Sequence, residues 1–190
     1  MTHKGTVVLE TKRLLLRPFV LEDAPAMYEN WASDQEVTRF MTWPAHTGVD
    51  ISAWVLSDWV GHYEEKNNYQ WAIVPKALGQ PIGSISVVRM DEACQSVEIG
   101  YCIGRAWWHQ GITSEALEAV ICFLFAEVGV KRIQARHDPN NPHSGGVMKK
   151  CGMTFEGIHR QADRNNQGIC DSCVYAILAS EAKKQPEVQP

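Results

Sequence analysis

The sequence predicts a mixed α/β (α+β) domain layered around one sheet. Three observations carry this. Segments of period two and segments of helical period follow one another in the order β, α, α, β, β, β, α, β, α, β, β, and mixed runs of this kind bury a sheet under helices. The three consecutive central strands have short connections, which makes them an antiparallel meander. The 190 residues are enough for one domain that covers most of its apolar surface. We assign residues 1–182 to that domain and 183–190 to a polar tail.

The first strand is short and apolar, Leu14-Leu-Leu-Arg17 within Thr11 to Phe19. After Pro18, the residues Ala24, Met27, Tyr28 and Trp31 recur at i, i+3, i+4 and i+7, one face of a helix, with Asp23 as its expected N-cap and Pro25 in its first turn. Residues 34 to 49 read as irregular, broken by Trp43-Pro44 and Gly48. A second helix spans Asp50 to Glu65, with Ile51, Trp54, Val55, Trp59 and Tyr63 on one side. The central strands are Tyr69 to Val74, Ile82 to Arg89 and Ser96 to Ile103, separated by turn-like stretches. The main helix carries Ala116, Leu117, Val120, Ile121, Leu124, Phe125 and Val128 at helical spacing and ends at Gly129. A strand at Arg132 to Arg136, a short helix at Ser144 to Lys150 closed by Gly152, and strands at Thr154 to Arg164 and Ile169 to Leu178 complete the order. The last two strands join through Asn165-Asn-Gln-Gly168, a hairpin composition.

Composition bounds the function. Hydrophobic residues make up 45% and charged residues 21%, the balance of a globular protein. With 18 Lys and Arg against 22 Asp and Glu, the net charge of -4 argues against a broad nucleic-acid surface. No apolar run approaches the roughly 18 to 20 residues of a membrane helix, and Met1-Thr-His-Lys-Gly5 has no signal-peptide core. The expected compartment is the cytoplasm, without membrane or nucleic-acid partners. Six cysteines are expected to be reduced and structural. Cys170 and Cys173 stand at i and i+3 of a strand, pointing to opposite faces, and no second ligand pair accompanies them, so no metal site is expected.

Two stretches carry chemistry. In the first, a strand ending at Ile103 runs through a loop into the main helix. Its opening residues are His109, Gln110, Gly111, Ile112, Thr113 and Ser114. Free N–H groups and the positive end of the helix dipole make an anion site there, and Gly111 lets a ligand approach the backbone. The plainer alternative is a helix start capped by Thr113 or Ser114. The second stretch, Asp138 to Met153, sets Asn141 and Ser144 between a strand and a helix, where Ser144 could be an N-cap and nothing more.

Together these stretches resemble the GNAT superfamily of N-acetyltransferases, in the branch of the ribosomal-protein-alanine acetyltransferases. The likeness runs over about residues 10 to 180. It is carried by Thr11-Lys-Arg-Leu-Leu-Leu-Arg-Pro18, Glu98-Ile-Gly-Tyr-Cys-Ile103, Gln110-Gly-Ile-Thr-Ser-Glu-Ala-Leu117, Asn141-Pro-His-Ser144 and Lys150-Cys-Gly-Met153. The resemblance implies a twisted, splayed mixed sheet with helices on both faces, and acetyl-CoA in the split. The family's phosphate-loop pattern, Gln/Arg-x-x-Gly-x-Gly/Ala, falls on Trp108 to Thr113. Gly111 matches, whereas Trp108 and Thr113 depart from it.

By that resemblance Asn141 touches the pantetheine arm and Ser144 protonates the departing thiolate. A backbone N–H in Tyr101, Cys102 or Ile103 supports the oxyanion. The base is Asp163, where the branch carries Glu, or else Glu98. The reaction implied is direct transfer of acetyl to a primary amine, foremost a protein N-terminal α-amine. At pH 7 deprotonation costs about 1 kcal/mol for an α-amine and about 5 kcal/mol for a lysine. Three other readings stay open: a small-molecule acceptor such as a polyamine, an antibiotic or an amino acid; a non-catalytic acetyl-CoA-binding module, given the altered loop; and Cys102 as an acyl-carrying nucleophile. Dimers are common in the branch, which leaves a homodimer open.

Overall fold

In the computed structural model, which describes residues 1–182, eight strands form one sheet. They are Leu9–Glu10 (β1), Leu14–Arg17 (β2), Gln70–Pro75 (β3), Gly83–Asp91 (β4), Ser96–Ile103 (β5), Arg132–His137 (β6), Thr154–Asn165 (β7) and Gly168–Leu178 (β8). The spatial order is β1-β2-β3-β4-β5-β6-β8-β7. β5 and β6 are parallel and the other neighbouring pairs antiparallel. The expected meander is β3-β4-β5, and the β7–β8 hairpin turns at Asn166 and Gln167. The expected polar tail at 183–190 lies outside the described residues.

Helices cover both faces, as alternation along the strands requires. On one face Trp71 and Ile73 of β3 meet Ala116, Leu117 and Val120 of the main helix Ile112–Phe123 (α4). On the other, Ala72 and Val74 meet Met27 of Ala24–Met27 (α1) and Leu56 of Val49–Gly61 (α3), with Phe19 and Trp31. Two short helices, Gln35–Thr38 (α2) and Pro142–Lys150 (α5), complete the set. Among the described residues no helix is long and apolar enough to cross a membrane.

Several local expectations differ from the structure, each for a physical reason. Asp23 holds the N-cap position of α1, as expected, but its side chain does not cap the helix. Its carboxylate takes the Val20 N–H at 3.0 Å and the Arg17 guanidinium at 2.7 and 2.8 Å, closing the 3-10 turn before α1. The first helix is short because the Tyr28 carbonyl takes both the N–H and the hydroxyl of Ser33, a wide π-type turn. Neither Thr113 nor Ser114 caps α4. Gly111 holds the N-cap position at φ 72°, and its left-handed backbone turns the chain into the helix. Asn141, not Ser144, occupies the N-cap position of α5, because Pro142 begins that helix. The stretch read as irregular contains α2, whose N-cap Asp34 accepts the Glu36 N–H at 2.9 Å.

Candidate active site

The sheet is split. β5 pairs with β6 only at Ser96↔Arg132, Val97↔Ile133 and Glu98↔Gln134. Beyond Glu98 the strands part. Gly104 N–H donates to the carbonyl of Ile82, the residue just before β4, at 2.8 Å. Strand backbone groups alternate in direction, so Cys102 also faces β4, and the N–H groups of Tyr101 and Ile103 face the split. Ile103 C=O already accepts the Trp108 indole N–H at 2.9 Å. That bond gives Trp108, one of the departures from the loop pattern, a structural role on the wall of the split.

On the α4 side the split opens into a cavity of about 330 Å3. Its floor is the start of α4, where the N–H groups of Ile112, Thr113 and Ser114 lack partners within the helix. A Cβ at Gly111 would lie 3.2 Å from Lys150 Nζ and 3.8 Å from an Arg13 guanidinium nitrogen. Backbone donors, the Lys150 ammonium and a position open only to glycine suit a diphosphate, with Arg13 beside them though paired to Glu115 at 2.6 Å, so the cradle fits the pyrophosphate of acetyl-CoA. His109, also in the left-handed region at φ 61°, sets its ring edge-on to His143 at 4.7 Å, and both line this cavity. Gln110 turns away: its side chain donates to Ala106 C=O at 2.9 Å, while its own carbonyl takes Arg13 at 3.0 Å.

On the α1–α3 side lies a second cavity of about 490 Å3. Tyr101, Cys102, Asn141 and Ser144 line both cavities, so the two meet where the strands part. Here the Tyr101 hydroxyl donates to Ser144 C=O at 2.9 Å and accepts the Ser144 hydroxyl at 3.1 Å. Burial pushes the Tyr101 phenol up, against a smaller opposing effect of the Ser144 bond, so it stays protonated. Burial likewise pushes the Cys102 thiol up, beside Ser84 at 3.4 Å. A protonated, enclosed thiol is a poor nucleophile, which weighs against an acyl-carrying role.

Three carboxylates come into question near this junction. Glu98 shares a strand face with Gly100 and Cys102, which line the second cavity. Its Oε2 accepts from Arg136 at 2.6 and 2.9 Å and from Gln134 at 2.8 Å. All three bonds converge on Oε2. Asp163 sits on β7 near the hairpin turn. Its oxygens accept the Arg164 N–H at 2.8 Å and the Ser172 hydroxyl at 3.5 Å, and, like Glu98, it lines neither cavity. Asp138 lines the second cavity and went unnoticed in the sequence, where Asp-Pro-Asn reads as a turn. Burial tends to raise its carboxyl, but donors from Asn140, Asn165 and Cys170 outweigh that and hold it below the usual range.

Lys150 and Arg13 also escaped the sequence reading. Lys149-Lys150 reads as ordinary positive charge at a helix C-terminus, and Arg13 reaches the cradle from far away in the chain. Of the four tryptophans in or near the first two helices, Trp43 and Trp59 line the second cavity, Trp31 is buried and Trp54 faces solvent. Among the described residues no group of three or more His, Cys, Asp or Glu is placed to hold a metal ion.

A sheet parted between two parallel strands, with an anion cradle on one side and a second cavity on the other, defines a two-substrate transferase with a phosphate-bearing donor. The chain belongs to the GNAT acetyltransferases: residues 13–154 match the family model described as acetyltransferase (GNAT) domain. It is 30% identical over 171 residues to the uncharacterized N-acetyltransferase YoaA of Bacillus subtilis, covering 90% of this chain and 96% of that protein. A ribosomal-protein-serine acetyltransferase of Escherichia coli is 33% identical over 97 residues, 51% of this chain and 54% of that one. In fold it is similar to a microcin C7 self-immunity acetyltransferase solved with acetyl-CoA and AMP, at TM-score 0.78 and 22% identity over 88% of this chain and 93% of that one. The protein is thus an acetyl-CoA-dependent N-acetyltransferase.

Proposed function

We propose that the chain acetylates the α-amine of a protein N-terminus by direct transfer. The observation that carries this reading is the meeting of the two cavities at Tyr101, Cys102, Asn141 and Ser144, which lets a donor and an amine approach from opposite faces. Acetyl-CoA supplies an acetyl group activated as a thioester. The N–H groups of Tyr101 and Ile103, which face the split, would receive the charge that develops on the carbonyl oxygen. The Ser144 hydroxyl, whose one proton is donated to the Tyr101 oxygen before reaction, would turn from Tyr101 to the leaving thiolate to protonate it, and Asn141 offers an amide to the arm beside it. For the base, Glu98 is better supported than Asp163, because it shares the acceptor face and its Oε1 makes none of the bonds to Arg136 and Gln134. It would act through water.

Support for a protein N-terminus comes from the partial likeness to the ribosomal-protein-serine acetyltransferase and from the low cost of deprotonating an α-amine. The test is an acceptor screen with acetyl-CoA over N-terminal peptides, lysine peptides, polyamines and antibiotics, read by mass spectrometry. Acetylation at the peptide α-amine is expected. Transfer to polyamines or antibiotics alone would refute the reading. Ser144→Ala should lower kcat and leave acetyl-CoA affinity within a few-fold.

A further inference from the structure

The second cavity has a chemistry of its own. Aromatic and aliphatic side chains dominate its walls: Phe40, Trp43 and Trp59, with Met27, Met41 and Val55. Val88 adds to them because a bulge in β4, between Val87 and Arg89, turns it out of the ladder. A Cβ at Gly100 would lie 2.9 Å from Val88, so the bulged side chain is packed against the strand that carries the reaction.

Charge is sparse by comparison. Asp138 is the one carboxylate among the described residues lining this cavity. A carboxylate has about four acceptor sites. Asp138 commits one oxygen to the Asn140 N–H at 2.8 Å and its amide at 3.0 Å, the other to the Asn165 amide at 2.8 Å, with the Cys170 thiol also leaning on it. Arg136 is neutralised by Glu98. Burial lowers the pKa of His46, whose Nδ1 lies 2.8 Å from the Ser52 hydroxyl, so at neutral pH it adds no positive charge. A polycation would leave its further ammonium groups without a carboxylate partner, with only the weaker attraction of the indole faces to offset their desolvation.

The aromatic wall is also held in place. Asn166, at the turn between β7 and β8, donates its N–H to Met41 C=O at 3.1 Å. Its amide donates to the carbonyls of Thr38 and Trp43, each at 2.8 Å. The hairpin thereby clamps the segment that bears Phe40, Met41 and Trp43. A fixed apolar chamber rewards a rigid apolar group that fills it.

We propose that the acceptor is a single primary amine flanked by a bulky apolar group: an α-amine whose own residue carries a Phe-, Leu- or Met-like side chain. This rests on the reading of the protein as an amine acetyltransferase and narrows it. The residue beside the amine occupies the chamber, while the amine reaches the junction at Tyr101 and Ser144. The same chemistry is offered by a peptide N-terminus and by a free amino-acid amide.

The test uses the whole protein with acetyl-CoA and tetrapeptides that differ only in residue one: Phe, Leu, Met, Ala or Ser. The amides of Phe and Ala and spermidine complete the panel. Product is measured by mass spectrometry. The expected result is a kcat/KM at least tenfold higher for Phe, Leu or Met than for Ala or Ser, with spermidine weakest. Pocket discrimination by apolar size is of that order, about 10- to 200-fold. Comparison of Phe peptide with Phe amide tells a polypeptide acceptor from a small one. Trp43→Ala, on the half-buried wall, should bring the Phe-to-Ala ratio to within threefold at unchanged acetyl-CoA affinity, and Val88→Ala should move it the same way. Equal or better use of Ala, Ser or spermidine overturns the proposal while leaving acetyl transfer to an amine intact. Lack of transfer to every amine in the panel overturns both.

Discussion

Replacing Gly111 tests the phosphate cradle most directly, because two effects of the same substitution can be read apart. The residue sits at φ 72°, where an L side chain costs about 1–2 kcal/mol. For a domain of this size about 2–4 °C of Tm accompany each kcal/mol, so Gly111→Ala should lower the melting temperature without ligand by about 2–8 °C. The second effect concerns binding. The new Cβ would lie 3.2 Å from Lys150 Nζ, closer than ordinary packing, and would fill the approach to the N–H groups of α4. Gly111→Asp adds a negative charge there. If CoA affinity falls a hundredfold, a concentration that stabilises the wild type by about 2.7 kcal/mol, at 100 times Kd, stabilises the variant by only about 0.4 kcal/mol. The assay is thermal unfolding of both variants with and without CoA. A lowered Tm together with an undiminished CoA-dependent rise would refute the assignment, since strain would be present and the cradle unaffected.

Glu98→Gln should do two things at once. It leaves the Arg136 guanidinium unpaired in a mostly buried site, costing about 3 kcal/mol in denaturant unfolding. If Glu98 is the base, it also lowers kcat/KM at pH 7 by about 10²- to 10⁴-fold, a defect that shrinks as pH rises. A large, pH-dependent defect in Asp163→Asn beside a small one in Glu98→Gln would transfer the role to Asp163. Asn166→Ala should raise the acceptor KM severalfold through loosening of the clamped wall while acetyl-CoA affinity stays the same; parallel loss of both affinities would contradict this. Asp138 has a carboxyl pKa depressed below 3.8 in the fold. The stability it contributes is therefore full above that value and lost as pH falls through the lower, folded pKa. Asp138→Asn should flatten the acid limb of a stability–pH curve, and an unchanged limb would count against it.

The strands and the main helix were legible because their periodicity is local and strong: Ser96 to Ile103 is a strand in the sequence and in the structure with the same bounds. The cradle was legible in part, since a glycine between a strand and a helix start is a local signal. Its cations were not. Arg13 and Lys150 stand far apart in the chain, and only the packing of α4 against β2 and α5 brings both to Gly111. The clamp on the acceptor wall is similarly remote, with Asn166 reaching back to Thr38 and Trp43. The helix caps were misplaced because Ser and Thr have the right chemistry for a cap, yet Gly111 and Asn141 had the backbone position.

The three-pair seam between β5 and β6 can be viewed as the tip of a crack in a laminate. Two plates, β1–β5 and β6–β8, are welded only at Ser96 to Glu98. The Glu98–Arg136 pair sits at the tip like a rivet, and the Tyr101–Ser144 contact bridges the open mouth. Substrates that wedge the mouth concentrate their load on this rivet. The ion pair thus joins the shared core beneath α4 and α5 in holding the two plates at the spacing a molecule between them meets.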